Sequence, residues 1–124
     1  MNYLCVIFGG GIGSLLRYIS SHLINTLSGL IFPVGTLFVN MIGSLCIGFL
    51  FYIVKTRTMN TELQLLLMTG FLGGYTTFST YTLETVQFVL NNEFRKAIFN
   101  ILINNILCLL FVLFGIKFGK LLIK

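Results

Sequence analysis

Four stretches of this chain, roughly Tyr3–Ile24, Pro33–Val54, Leu63–Leu90 and Ala97–Ile116, are each apolar over a length that can cross a lipid bilayer, for which a helix needs about 20 residues. No other property of the sequence limits its fold so tightly. In hydrocarbon every backbone N–H and C=O has to be satisfied within the protein, so runs of this length are read as helices. Only 9% of the 124 residues are charged and 56% are apolar, too few charges to coat a water-soluble globule. The connections leave no room for a soluble domain or a long linker. The expectation is an all-α membrane protein with four transmembrane helices, a single transmembrane domain over residues 1–124.

A cleavable leader is not expected. The first apolar run is of full span length, no basic residue precedes it, and the sole alanine, Ala97, cannot form an A-x-A site. Cys5, Cys46 and Cys108 are odd in number and lack metal-ligand spacing, so they read as small buried hydrophobes. The net charge of +5 comes from Lys and Arg at segment ends, where lipid headgroups account for it and nucleic acid need not be invoked. Lys55, Arg57, Lys117, Lys120 and Lys124 fall on the side of the N-terminus, against Arg95, Lys96 and Arg17 on the other. That bias weakly favours a cytoplasmic N-terminus, and it is also what a chain inserting in both orientations, able to form an antiparallel dimer, would show.

Polar residues inside the spans need partners or water. Thr36, Asn40 and Ser44 recur every four residues and share one face of the second segment; Asn100, Asn104 and Cys108 do the same in the fourth, with Asn105 adjacent. Two such stripes read either as a polar pathway or as interhelical hydrogen bonds. Gly9 with Gly13, and Gly115 with Gly119, are spaced for close helix approach. The run "GGGIG" at 9–13 does not match the spacing of a dinucleotide-binding loop, and no strand precedes it.

The stretch "GFLGGYTTFSTY" at 70–81 stands out. Gly70, Gly73 and Gly74 weaken the helix, and Thr76, Thr77, Ser79 and Thr80 bring hydroxyls that compete for backbone groups. The reading is an interruption of the third span, with a glycine-softened continuous helix as the alternative. Freed carbonyls at membrane depth line a cavity or are buried in protein, and they can hold a cation. Phe78 and Tyr81 share a face beyond the interruption, and their positive ring edges can solvate a small anion or pack as ordinary core.

An enzyme is not expected, because the chain has one His, three Glu and no Asp. His22 reads as an interfacial residue, and Glu62 and Glu93 as solvated span ends. Glu84 lies inside the third apolar run and reads as a vestibule residue.

The segments "GGGIGSLLRY" (9–18), "PVGTLFVNMIGS" (33–44) and "GFLGGYTTFSTYTLE" (70–84) resemble, in order and spacing, the signatures of the bacterial fluoride channels of the CrcB or Fluc family. The resemblance covers essentially the whole chain. It implies a broken third helix, a dual-topology antiparallel dimer with two fluoride pores, and a multi-pass location in the bacterial cell membrane. It further implies a structural Na+ at the centre, held by the main-chain carbonyls of Gly73 and Thr76 from each subunit. By the same resemblance Asn40, Phe78 and Tyr81 line the fluoride pathway, with hydroxyls from Thr77, Ser79 and Thr80. Asn104 and Cys108 extend it along the fourth helix, where Asn100 and Val112 also fall on the family's polar track. Arg17, matched to an arginine at the end of the first helix, draws anions to the mouth or anchors the helix end. Tyr81 departs from the family's second phenylalanine, and Cys108 and Val112 are poorer donors than the hydroxyls common at their positions. The partners implied are fluoride, sodium, the bilayer and a second copy of the chain, with an unlike subunit as the variant. A small multidrug transporter would need an acid in the first segment, and residues 3–24 contain none. A pore-free membrane subunit would instead carry polar residues that satisfy only one another.

Overall fold

The computed structural model describes residues 2–57 and 59–123. Lys124, used above in the charge balance, lies outside them. Among the described residues the chain is helical throughout, without strands. Helix α1 spans Asn2–Ser28 and α2 spans Val34–Thr56. The third segment begins as α3, residues 61–75, made of an α-turn Thr61–Gln64, a π-helical stretch Leu65–Leu72 and a closing turn Gly73–Tyr75. After two non-helical residues α4 spans Phe78–Leu90, and α5 spans Phe94–Leu122.

Among the described residues three helices, α1, α2 and α5, are long and apolar enough to cross a membrane, at 27, 23 and 29 residues. The predicted run Leu63–Leu90 is present as α3 and α4, neither of which is by itself a span of that kind. Helix α1 continues past Ile24 to Ser28, and α5 extends beyond Ala97–Ile116 at both ends. An apolar run marks the depth of hydrocarbon; where a helix stops is set by its caps. At Ser28 the stop is Gly29, whose φ of +59° is open to glycine at no steric cost. Between α4 and α5 the turn is a Schellman motif: Asn92, at φ 60°, donates its N–H to Val89 O, and Glu93 N–H reaches back to Phe88 O.

Glycines hold the helices together where they were expected to. A Cβ on Gly9 or Gly13 would overlap the α3 backbone at Leu66 or Phe71, and one on Gly74 would meet Gly10 across the same contact. In the same way Gly115 lies against the Leu45 carbonyl of α2, and Gly48 against the Val112 carbonyl of α5. Gly119 packs on the Tyr52 ring, at 3.0 Å from a would-be Cβ. Backbones approach this closely only without side chains between them, so dispersion contacts hold helix pairs that lipid gives no hydrophobic reason to join.

The interior mixes polar with apolar side chains, and the outer surface is largely apolar. Val39 and Asn100 are fully buried, and Thr36, Thr77, Thr85 and Asn104 are nearly so. Large apolar side chains such as Leu109, Leu113 and Phe114 face outward. Cys5, Cys46 and Cys108 are free thiols of intermediate burial. His22 is exposed and stacks on Tyr18, with ring centroids 6.0 Å apart.

Candidate functional site

The third segment breaks at Thr76 and Thr77, whose ψ angles of 158° and 113° are extended. A side chain from α2 holds the break open. Asn40 Oδ1 accepts the Thr77 N–H at 2.8 Å, and Asn40 Nδ2 donates to Thr77 O at 3.1 Å, so one amide group pairs with both backbone groups of one residue. On the far side Thr77 caps α4: its Oγ1 accepts from the Thr80 N–H at 3.1 Å. These two diversions have a definite consequence. The Thr77 N–H would otherwise close a turn onto Gly73 O, and the Thr80 N–H onto Thr76 O. Both carbonyls are released from their helical partners, and Arg17 Nη1 donates to Thr76 O at 3.3 Å. Helix α1 carries Arg17 well inside its length, because the helix continues to Ser28; the expectation of an arginine at the helix end is corrected in that respect.

Beside the break lies a groove of about 480 Å³. It brings together Asn40, Gly73, Thr76, Thr77, Phe78, Tyr81, Asn104 and Cys108, eight of the residues singled out from the sequence. Ser44 and Val112 line it too, which puts one end of each polar stripe on the same space. Phe78 and Tyr81 stand with ring centroids 5.4 Å apart and planes at 59°, so a ring edge rather than a stacked face is presented to the neighbour. Their environments differ: Phe78 is 74% exposed and Tyr81 only 7%.

A second cavity, of about 290 Å³, holds Arg17, Thr36 and Thr80, and Thr77 lines both. Ser79 lines neither; its hydroxyl lies 3.3 Å from Thr77 Oγ1. Glu84 is also outside both sets, yet it reaches the second through Thr36, whose hydroxyl donates to Glu84 Oε1 at 2.5 Å. The other carboxylate oxygen, Oε2, is buried without a hydrogen-bond partner.

Between α4 and α5 runs a chain of hydrogen bonds that spacing alone did not reveal. Thr85 Oγ1 donates to Tyr81 O at 2.8 Å and accepts from Asn100 Nδ2 at 2.9 Å. Asn100 Oδ1 in turn accepts from Asn104 Nδ2 at 2.8 Å. Each group in the chain has one sense of donation, so the amide left over at its end is Asn104 Oδ1, buried and without a partner. Thus the upper part of the α5 stripe ties helices together, while Asn104 and Cys108 reach the groove. Thr85 and Asn105 were not recognised as site residues from the sequence. Asn105 Nδ2 donates to Tyr81 Oη at 3.1 Å, a contact across 24 positions for which its place beside the stripe was the sole hint.

Comparison with known proteins finds relatives over nearly the whole chain. The profile of the family described as "CrcB-like protein, Camphor Resistance (CrcB)" matches residues 4–116. The chain is 45% identical over 123 residues to a protein of Hydrogenobaculum sp. named "Fluoride-specific ion channel FluC", covering 98% of this chain and all of the relative. Proteins of the same name from Aquifex aeolicus and Coxiella burnetii are 42% and 40% identical, covering 93% and 97% of this chain and 94% and 98% of theirs.

Proposed function

The chain belongs to the CrcB family, and from that premise we propose that it is a fluoride-selective channel, letting F⁻ leave the cytoplasm passively as an antiparallel homodimer in the bacterial cell membrane. The observation that carries this reading is the groove at the helix break, where Asn40 and the rings of Phe78 and Tyr81 meet beside Thr77, whose hydroxyl donates to Thr80 Oγ1, in an otherwise apolar protein. Fluoride is small and strongly hydrated. A pore that passes it replaces water with fixed donors while staying too narrow for larger anions, and several weak sites in series let the ion leave. Asn40 keeps one N–H beyond the bond to Thr77 O, and ring edges add positive charge without the grip of a cationic side chain.

The second cavity suits a mouth. Arg17 supplies positive potential there and attracts anions from the water. Two observations support the homodimer: Phe78 is largely exposed beside the groove, and Asn105 is exposed in the middle of an apolar helix. A second copy covering this face would complete the wall of the pore.

A structural sodium would draw on the carbonyls freed at the break. Gly73 O and Thr76 O are hard oxygen donors stripped of their helical N–H partners, and Thr76 O already attracts a cation in the form of the Arg17 guanidinium. They fit a small hard cation, with two oxygens from each subunit. Bound there, sodium would supply positive charge fixing the two breaks against each other. Arg17 then has to share or give up Thr76 O.

Expression in a bacterium stripped of its own fluoride export should restore growth in fluoride medium. Protein that reaches the membrane yet gives no protection would count against the reading. Purified alone, the chain should run as a dimer; monomers without flux would instead favour an unlike partner subunit.

A further inference from the structure

The departure at Tyr81 has a partner. Asn105 Nδ2 carries two protons, and both are engaged: one with Ile101 O at 2.7 Å, the other with Tyr81 Oη at 3.1 Å. Tyr81 Oη is therefore the acceptor in its bond to Asn105, and the phenolic proton remains free of that pair. The hydroxyl belongs to a groove-lining residue whose ring is nearly buried and packed against Phe78. Accepting a hydrogen bond polarises an O–H and makes it a better donor. Asn105 has no N–H left to offer an anion.

We propose that the Tyr81 hydroxyl, turned by Asn105, is a hydrogen-bond donor site for the permeating anion, with Asn105 as its positioning residue. The site rests on the channel reading given above. It makes this chain's pore hold fluoride longer than one with a phenylalanine at position 81: a phenol gives a charged acceptor a full hydrogen bond, whereas a ring edge gives only the weak field of its C–H groups.

The test is the fluoride dependence of efflux from proteoliposomes for wild type, Tyr81→Phe, Asn105→Leu and the double variant, each checked for an unchanged elution volume. Tyr81→Phe keeps the ring and so keeps the packing. It should raise the half-saturating fluoride concentration about tenfold or more, the loss of one hydrogen bond to a charged group. Asn105→Leu should raise it less, and should change nothing further in the Tyr81→Phe background. A merely structural role for Asn105 would persist in that background, so an additive double variant overturns the positioning role. Conducting wild type with an unshifted Tyr81→Phe overturns the donor site and leaves the channel standing. A silent wild type overturns the channel reading, and the site with it.

Discussion

Helix α5 is held on two sides by different physics. Against α2 it packs through Gly48 and Gly115, with backbone on backbone. Against α4 it is joined through Thr85, Asn100 and Asn104, and through Asn105 to Tyr81, where nearly every contact named is a hydrogen bond. Both seams border the groove: α2 lines it with Asn40, Gly43, Ser44 and Ile47, and α4 with Phe78 and Tyr81, while Thr85 and Asn100 stay outside it. In a membrane, shape makes a rigid partner of a helix, while polar side chains either bond one helix to the next, as Asn100 does, or face a space that something other than protein can enter.

The largest effect should follow from breaking the glycine seam. Gly115→Leu would force a side chain into the Leu45 carbonyl and should destabilise the fold by about 3 kcal/mol or more, read as lost monodisperse protein after heating in detergent. Asn100→Leu strikes the polar seam at its fully buried hub. It removes the donor to Thr85 and the acceptor for Asn104, and should cost about 1–3 kcal/mol by the same measurement.

Asn40→Asp sharpens the contrast, because it keeps size and changes only polarity. Its carboxylate still accepts from Thr77 N–H, but it sets an acceptor against Thr77 O. Fluoride flux should disappear, with stability lowered by about 1–3 kcal/mol and the dimer retained. Phe78→Ile separates function from fold most cleanly. The residue is 74% exposed on the single chain, so the fold of the protomer should change by no more than about 0.5 kcal/mol while flux is lost. Normal flux in both of these variants would place the pathway elsewhere. The smallest effect is expected from Cys108→Ser, which puts a stronger donor in the groove without changing its shape: flux should rise modestly, with stability within about 1 kcal/mol.

Much of this architecture could be read from residue spacing. The glycine pairs, the two polar stripes and the interruption near Thr76 and Thr77 each depend on local pattern, and each is found in place. What escaped depends on contacts between distant parts of the chain. That Asn40 clasps both backbone groups of Thr77 is a relation across 37 positions, and no periodicity encodes it. The π-helical stretch at Leu65–Leu72 is likewise silent in sequence; within it Gly70 lies against α1, where Gly9 Cα would stand 3.1 Å from an added Cβ. The stripe Asn100, Asn104, Cys108 looked uniform, yet Asn100 is consumed by Thr85 and the groove receives only the lower members. A spacing of four says which residues share a face; it does not say what the facing helix offers them.

The most direct measurement is fluoride efflux from liposomes containing the purified protein, followed with a fluoride electrode beside a matched chloride assay. If the pore runs through the groove at the break, fluoride leaves rapidly on opening an electrical path for counter-charge and chloride stays inside. Equal release of both ions, or release of neither from liposomes shown to contain dimer, would contradict a fluoride-selective pore.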